Sequence, residues 1–175
     1  KVNVPVYGTR LTLGLARRKM DESFEGDFDF RVVAPRDSVK LGSVEVEFYR
    51  TTHSVSDSVG LIIRTPCGTL VHTGDFKLDQ TPVDGDTVDY HRLAEVGEDG
   101  VLALLSDSTH ADRPGYTLSE RVVGENLSQV FYQAKGRIIV TTFASNIPRI
   151  QQVIDAAYRH GRKVCVVGRS MENVV

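Results

Sequence analysis

Apolar and polar residues alternate at Val2, Val4 and Val6 until Tyr7-Gly8 breaks the run, which predicts a short strand. Thr9 then caps a predicted helix from Arg10 to about Met20, with Leu11, Leu15 and Met20 on one face and Arg17, Arg18 and Lys19 solvated. Asp21 to Asp27 is acidic and carries a glycine, and reads as loop. Phe28 to Val33 reads as strand. Val44, Val46 and Phe48 alternate with Glu45, Glu47 and Tyr49, the pattern of a half-buried strand ending at Arg50. Ser58–Thr65 and Thr69–Thr73 form a predicted hairpin about Pro66-Cys67-Gly68. Pro82 to Asp89 reads as an acidic loop. Tyr90 to Val96 reads as a short helix ended by Gly97.

The unbroken apolar run Val101–Leu105 predicts a strand buried on both faces. Thr117-Leu118-Ser119-Glu120 is a capping box that opens a helix to about Lys135, stopped by Gly136. A strand over Arg137–Phe143 follows. Ser145 or Asn146 then caps a helix whose buried side carries Ile147, Ile150, Ile154, Ala157 and Tyr158. Pro148 falls in its first turn, where a missing N–H does little harm. Gly161 ends that helix, and Lys163–Val167 reads as strand. Up to about residue 110 the chain is mostly strand with hairpins. From about 115 it alternates helix and strand, as parallel α/β units do, so we place a domain change near residue 112.

Composition changes little in this picture. The 175 residues are 41% hydrophobic and 25% charged, enough for an ordinary core. A net charge of -2 argues against a histone-like or arm-like nucleic-acid binder. No apolar run is long enough to span a membrane, and no basic-then-apolar run suggests a signal peptide. Cys67 and Cys165 lie outside any C-x-x-C spacing, and a cytoplasmic protein with unpaired thiols is expected. Without an initiator Met, and with a helix starting as the chain stops at Val175, the sequence reads as part of a longer protein.

Three predicted strand ends carry metal-ligating residue types: His53, Asp75 and Asp107. Imidazole and carboxylate suit Zn²⁺ or Mn²⁺, but two ligands are too few for a closed or catalytic zinc site. His72, His91 and His110 form no H-x-H or H-x-x-x-H cluster with them. A capping His53 and a turn Asp75 are the alternative on spacing alone. His72 reads as a packed or hydrogen-bonded histidine, and Arg159-His160-Gly161-Arg162-Lys163 as a solvated helix end. Phe143-Ala144-Ser145-Asn146 ends one element and opens a helix. Its free N–H groups attract phosphate, and Phe143 is placed to stack on a base. The competing reading is a capped helix with a core Phe.

The runs T-H-S-V-S-D-S-V-G, H-T-G-D-F-K-L-D-Q-T-P, L-L-S-D-S-T, R-P-G-Y-T-L-S-E, T-T-F-A-S-N-I and V-V-G-R-S-M-E-N, in this order, resemble bacterial ribonuclease J. That family is the RNA-cleaving branch of the metallo-β-lactamase superfamily that carries a β-CASP insertion. The resemblance covers nearly the whole chain. It implies an α/β fold: residues 1–112 as part of a metallo-β-lactamase αββα sandwich, and residues 113–175 as the start of a Rossmann-like β-CASP domain with a parallel sheet. His53 matches a ligand to one of two zinc ions, and Asp75 the carboxylate that bridges both, with Mn²⁺ or Mg²⁺ as alternatives. Asp107 matches an acidic residue that orders the active site at the entry to the β-CASP domain. Phe143, Ala144 and Ser145 match a substrate-contacting segment.

The implied activity is hydrolysis of RNA phosphodiesters, 5′-to-3′ and internally, in messenger RNA decay and ribosomal RNA maturation. Single-stranded RNA with a 5′ monophosphate is the implied substrate, and a homodimer or tetramer the implied assembly. The sequence departs from the family pattern in having no H-x-H-x-D-H motif, which is expected before Lys1, and in carrying His110 where Asn is more usual. The chain by itself is therefore expected to be inactive. A β-CASP DNA nuclease, another hydrolase of the superfamily and a non-catalytic binding module are the alternatives.

Overall fold

The structure, a computed structural model, describes residues 4–23 and 28–172. Val2 of the first predicted strand, residues 24–27 of the acidic loop and Val175 lie outside them. Strand β1 is Val6–Gly8 and pairs in parallel with β2, Phe30–Val32. Helix α1, Arg10–Ser23, joins them and is longer than expected. Leu13, rather than Leu11 or Leu15, is its buried residue.

A five-stranded sheet carries the next part of the chain, in the order β3-β4-β5-β6-β7. Its strands are Ser38–Leu41, Val44–Arg50, Val59–Thr65, Gly68–His72 and Ala103–Leu105. Strand β3 was not foreseen. It folds back on β4 through the two residues Gly42-Ser43, with Leu41 opposite Val44 and Gly42 at φ 64°. The Pro66-Cys67 turn joins β5 to β6 as predicted, with Thr65 opposite Gly68. Helix α2, Tyr90–Asp99, crosses from β6 to β7, which pair in parallel. Gly97 lies inside α2, and Gly100, at φ 94°, takes the cap instead.

The alternation in β4 predicts one covered face, and Phe48 on it is buried, but the other face is covered as well. Glu47 and Tyr49, on the face that reads as solvated, are both buried. Tyr49 packs with Ile62, Val71 and Val96, the last from α2. Arg92 of α2 meets Glu47 at 2.7 and 2.8 Å, and Arg64 adds a third contact at 2.8 Å. The carboxylate is buried because two guanidinium groups replace its water. The opposite correction holds for Val101–Leu105. Only residues 103–105 are strand, and Leu102, Leu104 and Leu105 are all exposed, because β7 is the sheet's last strand and neither face is covered among the described residues.

The second part is a helix pair, α3 (Glu120–Gln133) and α4 (Ile147–Arg159). Phe131 packs against Ala156 and Ala157, with Ile138 and Val153 beside them. Ser119, not Thr117, is the N-cap of α3, and Asn146 caps α4. On α4 Tyr158 is exposed, whereas Gln152 and Ala156 are buried. Arg137–Phe143 and Lys163–Val167 are not strands. A parallel strand needs a neighbour to supply its ladder bonds, and neither segment has one among the described residues. Their apolar side chains line an open cavity against α3 and α4 instead. A last short helix, α5, covers Arg169–Glu172. The chain is thus mixed α/β.

Candidate functional site

Topology brings the candidate ligands together. β4 and β6 each run antiparallel to β5, and β7 runs parallel to β6. The C-terminal ends of β4, β6 and β7 therefore lie along one edge of the sheet. His53 follows β4, Asp75 follows β6 and Asp107 follows β7.

Each position is held by its own loop chemistry. After β4, Thr51 N–H donates to Ser58 C=O at 3.1 Å, closing the loop that carries His53. Asp57 anchors the same loop to α1 by accepting the Leu11 N–H at 2.8 Å, a helix cap supplied from a distance where Thr9 was expected to serve. His53 is half-buried, and its Nδ1 is 3.2 Å from Ser54 Oγ. After β6, Gly74 at φ 62° turns the chain toward Asp75. Asp75 is exposed.

Thr73 ties two strand ends: its Oγ1 accepts the Asp107 N–H at 2.9 Å, and its own N–H reaches Leu105 C=O at 3.0 Å. The Asp107 carboxylate accepts the Thr109 hydroxyl at 2.7 Å and N–H at 2.9 Å. The Thr109 side chain and then its backbone hold the Asp107 carboxyl below its ordinary pKa. The Phe76 N–H adds to this, while desolvation opposes it.

The donor set is incomplete. Among the described residues no three His, Cys, Asp or Glu side chains come close enough together to hold a metal ion. His53, Asp75 and Asp107 have the right chemistry for a divalent ion and share an edge, but they do not close a site by themselves.

Three residues that sequence reasoning missed fix this edge to the helices. Buried Thr52, beside His53, accepts Lys77 N–H at its carbonyl at 2.7 Å, and its hydroxyl donates back to Lys77 C=O. Buried Asp79 accepts the Glu120 N–H at 2.9 Å, at the start of α3. Burial opposes ionisation of Asp79. The Glu120 N–H, the Ser119 hydroxyl, the Thr81 N–H and the Lys77 charge outweigh it, so its pKa is lowered. Glu120 itself pairs with Lys77 and Arg149. Lone threonines and loop acids carry no periodicity, and only the folded neighbours reveal these roles.

The predicted substrate segment lies on the far side of this seam. Phe143 is 83% exposed and so is not a core residue. Asn146 Oδ1 accepts the Arg149 N–H at 3.1 Å, which sets the first turn of α4 beside the Phe143-Ala144-Ser145 run. Asn146 and Pro148 line a crevice of about 20 Å³ together with Thr52, His53, Lys77 and Glu120. The start of α4 and the His53 loop therefore face the same narrow space. The remaining histidines lie elsewhere. His72 is exposed, though its Nδ1 accepts the Gly74 N–H at 3.0 Å. His91 pairs with Glu95 on α2. His110 sits at φ 61°, a conformation that Asn adopts more readily. His160 caps α4, with Nε2 3.3 Å from Ser128 Oγ.

A mixed α/β chain with an acidic and imidazole-bearing sheet edge facing a helix start is matched over residues 135–175 by the family profile "Ribonuclease J, beta-CASP domain". Among curated proteins it is 50% identical over 171 residues to ribonuclease J of Thermus thermophilus, covering 96% of this chain and 30% of that protein. It is 51% identical over 172 residues to ribonuclease J of Synechocystis (97% and 27%), and 47% identical over 176 residues to ribonuclease J2 of Bacillus subtilis (100% and 32%). The chain belongs to the ribonuclease J family and spans about a third or less of these relatives' length. A crystal structure of a protein of unknown function from Enterococcus faecalis shares the fold over 87% of this chain and 39% of that one, with a TM-score of 0.65 and 21% identity.

Proposed function

We propose that the full-length protein is a metal-dependent ribonuclease that hydrolyses phosphodiester bonds of single-stranded RNA bearing a 5′ monophosphate. The observation that carries this reading is the placement of His53, Asp75 and Asp107 at strand ends along one sheet edge, with the His53 loop across a narrow crevice from the start of α4. In this reading residues 1–112 belong to a metallo-β-lactamase sandwich and residues 113–175 begin a β-CASP domain, with the cleft between them taking the RNA. The names of the relatives support the ribonuclease assignment.

His53 and Asp75 contribute two ligands to a zinc or manganese site whose other donors lie outside the described residues. Bound divalent ions would neutralise phosphate charge and lower the pKa of a water. The chain's own residues act as follows. Asp107, its carboxylate held by Thr109, helps order the active site and would orient a general acid that lies outside the described residues. The N–H groups at the start of α4 are already engaged, Ile147 with the Ser145 carbonyl and Arg149 with Asn146 Oδ1, so in this reading the segment meets RNA through exposed Phe143, which stacks on a base. Ala144 and Ser145 line the same strand of RNA. Action from the 5′ end as well as internally, roles in messenger RNA decay and ribosomal RNA maturation, a cytoplasmic location and a dimeric or tetrameric assembly belong to the same proposal.

The test is RNA hydrolysis by the full-length protein with Asp75→Ala and His53→Ala, together with metal analysis of each. Loss of activity by about a hundredfold or more, with less bound zinc or manganese, is the expected result. Unchanged cleavage in both variants would overturn the reading.

A further inference from the structure

We infer that Glu120 is a positioning residue for the proposed reaction, clamping the Asp75 segment and the start of α4 at a fixed separation through Lys77 and Arg149. The inference rests on the ribonuclease reading above. Every polar group of Glu120 is engaged. Oε1 accepts from Lys77 Nζ at 2.8 Å, and Oε2 accepts from Arg149 at 2.6 and 3.1 Å. Its N–H donates to Asp79 at 2.9 Å, and its C=O accepts Gln152 Nε2 at 2.8 Å. The Glu120 and Lys77 side chains are each only 17% exposed, so water screens this clamp weakly.

The two arms reach different parts of the site. Lys77 lies two residues beyond Asp75, and its backbone is locked to Thr52, the neighbour of His53. Arg149 lies in the first turn of α4, and its N–H is bonded to the Asn146 cap that follows Phe143-Ala144-Ser145. One carboxylate between two cations thus links the edge that would act on the phosphodiester to the segment that would hold the RNA. Groups on two elements act on one substrate only when their separation is fixed to a fraction of an ångström. Glu120 also occupies the first position of α3, where the helix dipole favours a negative charge. No hydrogen bond joins Lys77 to Arg149, and the Glu120 carboxylate is the group that both bond.

The experiment measures kcat and KM of the full-length, metal-loaded protein on a 5′-monophosphorylated single-stranded RNA, with folding checked by circular dichroism. Lys77→Met is expected to lower mainly kcat and Arg149→Met to raise mainly KM. Glu120→Gln, close to isosteric, should change both by about tenfold, and adding Lys77→Met to it should cost little more. Folded Glu120→Gln protein with unchanged kcat and KM would overturn the inference alone. A wild-type protein that does not cleave RNA would overturn the ribonuclease reading, and this inference with it. If Glu120→Gln does not fold, the Lys77→Met/Arg149→Met pair decides. Non-additive effects support the clamp, and strictly additive effects overturn it.

Discussion

A Cβ placed on Gly74 would stand 2.7 Å from the Val59 carbonyl oxygen, and the residue's φ of 62° is one that side chains rarely adopt. Backbone cannot yield as a side-chain tip can. Gly74→Ala is therefore expected to cost about 1–3 kcal/mol, measured as a shift in the denaturant midpoint with unchanged slope. The Gly-Asp pair is thus a single device: the glycine makes the turn that aims the aspartate. The placement of His53, Asp75 and Asp107 at strand ends was legible in the sequence because it needs only the strands to be located. Thr52, Asp79 and Glu120 were not. Their work across the seam consists of bonds to residues 25 to 43 positions away, and nothing local marks such side chains for a distant partner.

At the scale of elements, α2 is held to the sheet by charge as well as by packing. Arg92 first, and Arg64 after it, hold the Glu47 carboxyl below its ordinary value against the opposing effect of burial. A lowered folded pKa contributes stability that is complete above the unfolded value and lost as pH falls through the folded one. Thermal unfolding from pH 7 downward should show the wild-type Tm falling below about pH 4.5, with a shallower fall for Glu47→Gln. Alternation found β4 and the burial of Phe48 but missed that the other face is covered too, because a hydropathy pattern scores Glu47 and Tyr49 as outward. It cannot weigh two arginines that make burial of a carboxylate possible. For the segments 137–143 and 163–167 the apolar pattern predicted strands, and neither forms one. Whether such chain becomes strand is decided by a neighbour's hydrogen bonds, which local sequence does not encode.

Across the whole molecule, a strand-rich part and a helical part meet along bonds made by a short loop, residues 77–81, and the first residues of α3. The change near residue 112 was read from a switch in periodicity. The seam itself was not, since it consists of polar side chains at scattered positions. Its consequence lies in time rather than in geometry. The Glu120 amide is protected by Asp79 across the seam, whereas the Lys77 amide is protected by Thr52 within the strand-rich part. If the two parts separate before either unfolds, the Glu120 proton exchanges with solvent deuterium faster than the Lys77 proton, and the ratio of the two rates reports the free energy of parting. We expect a faster Glu120 amide by hydrogen exchange read residue by residue. Equal rates would mean that the molecule opens as one unit.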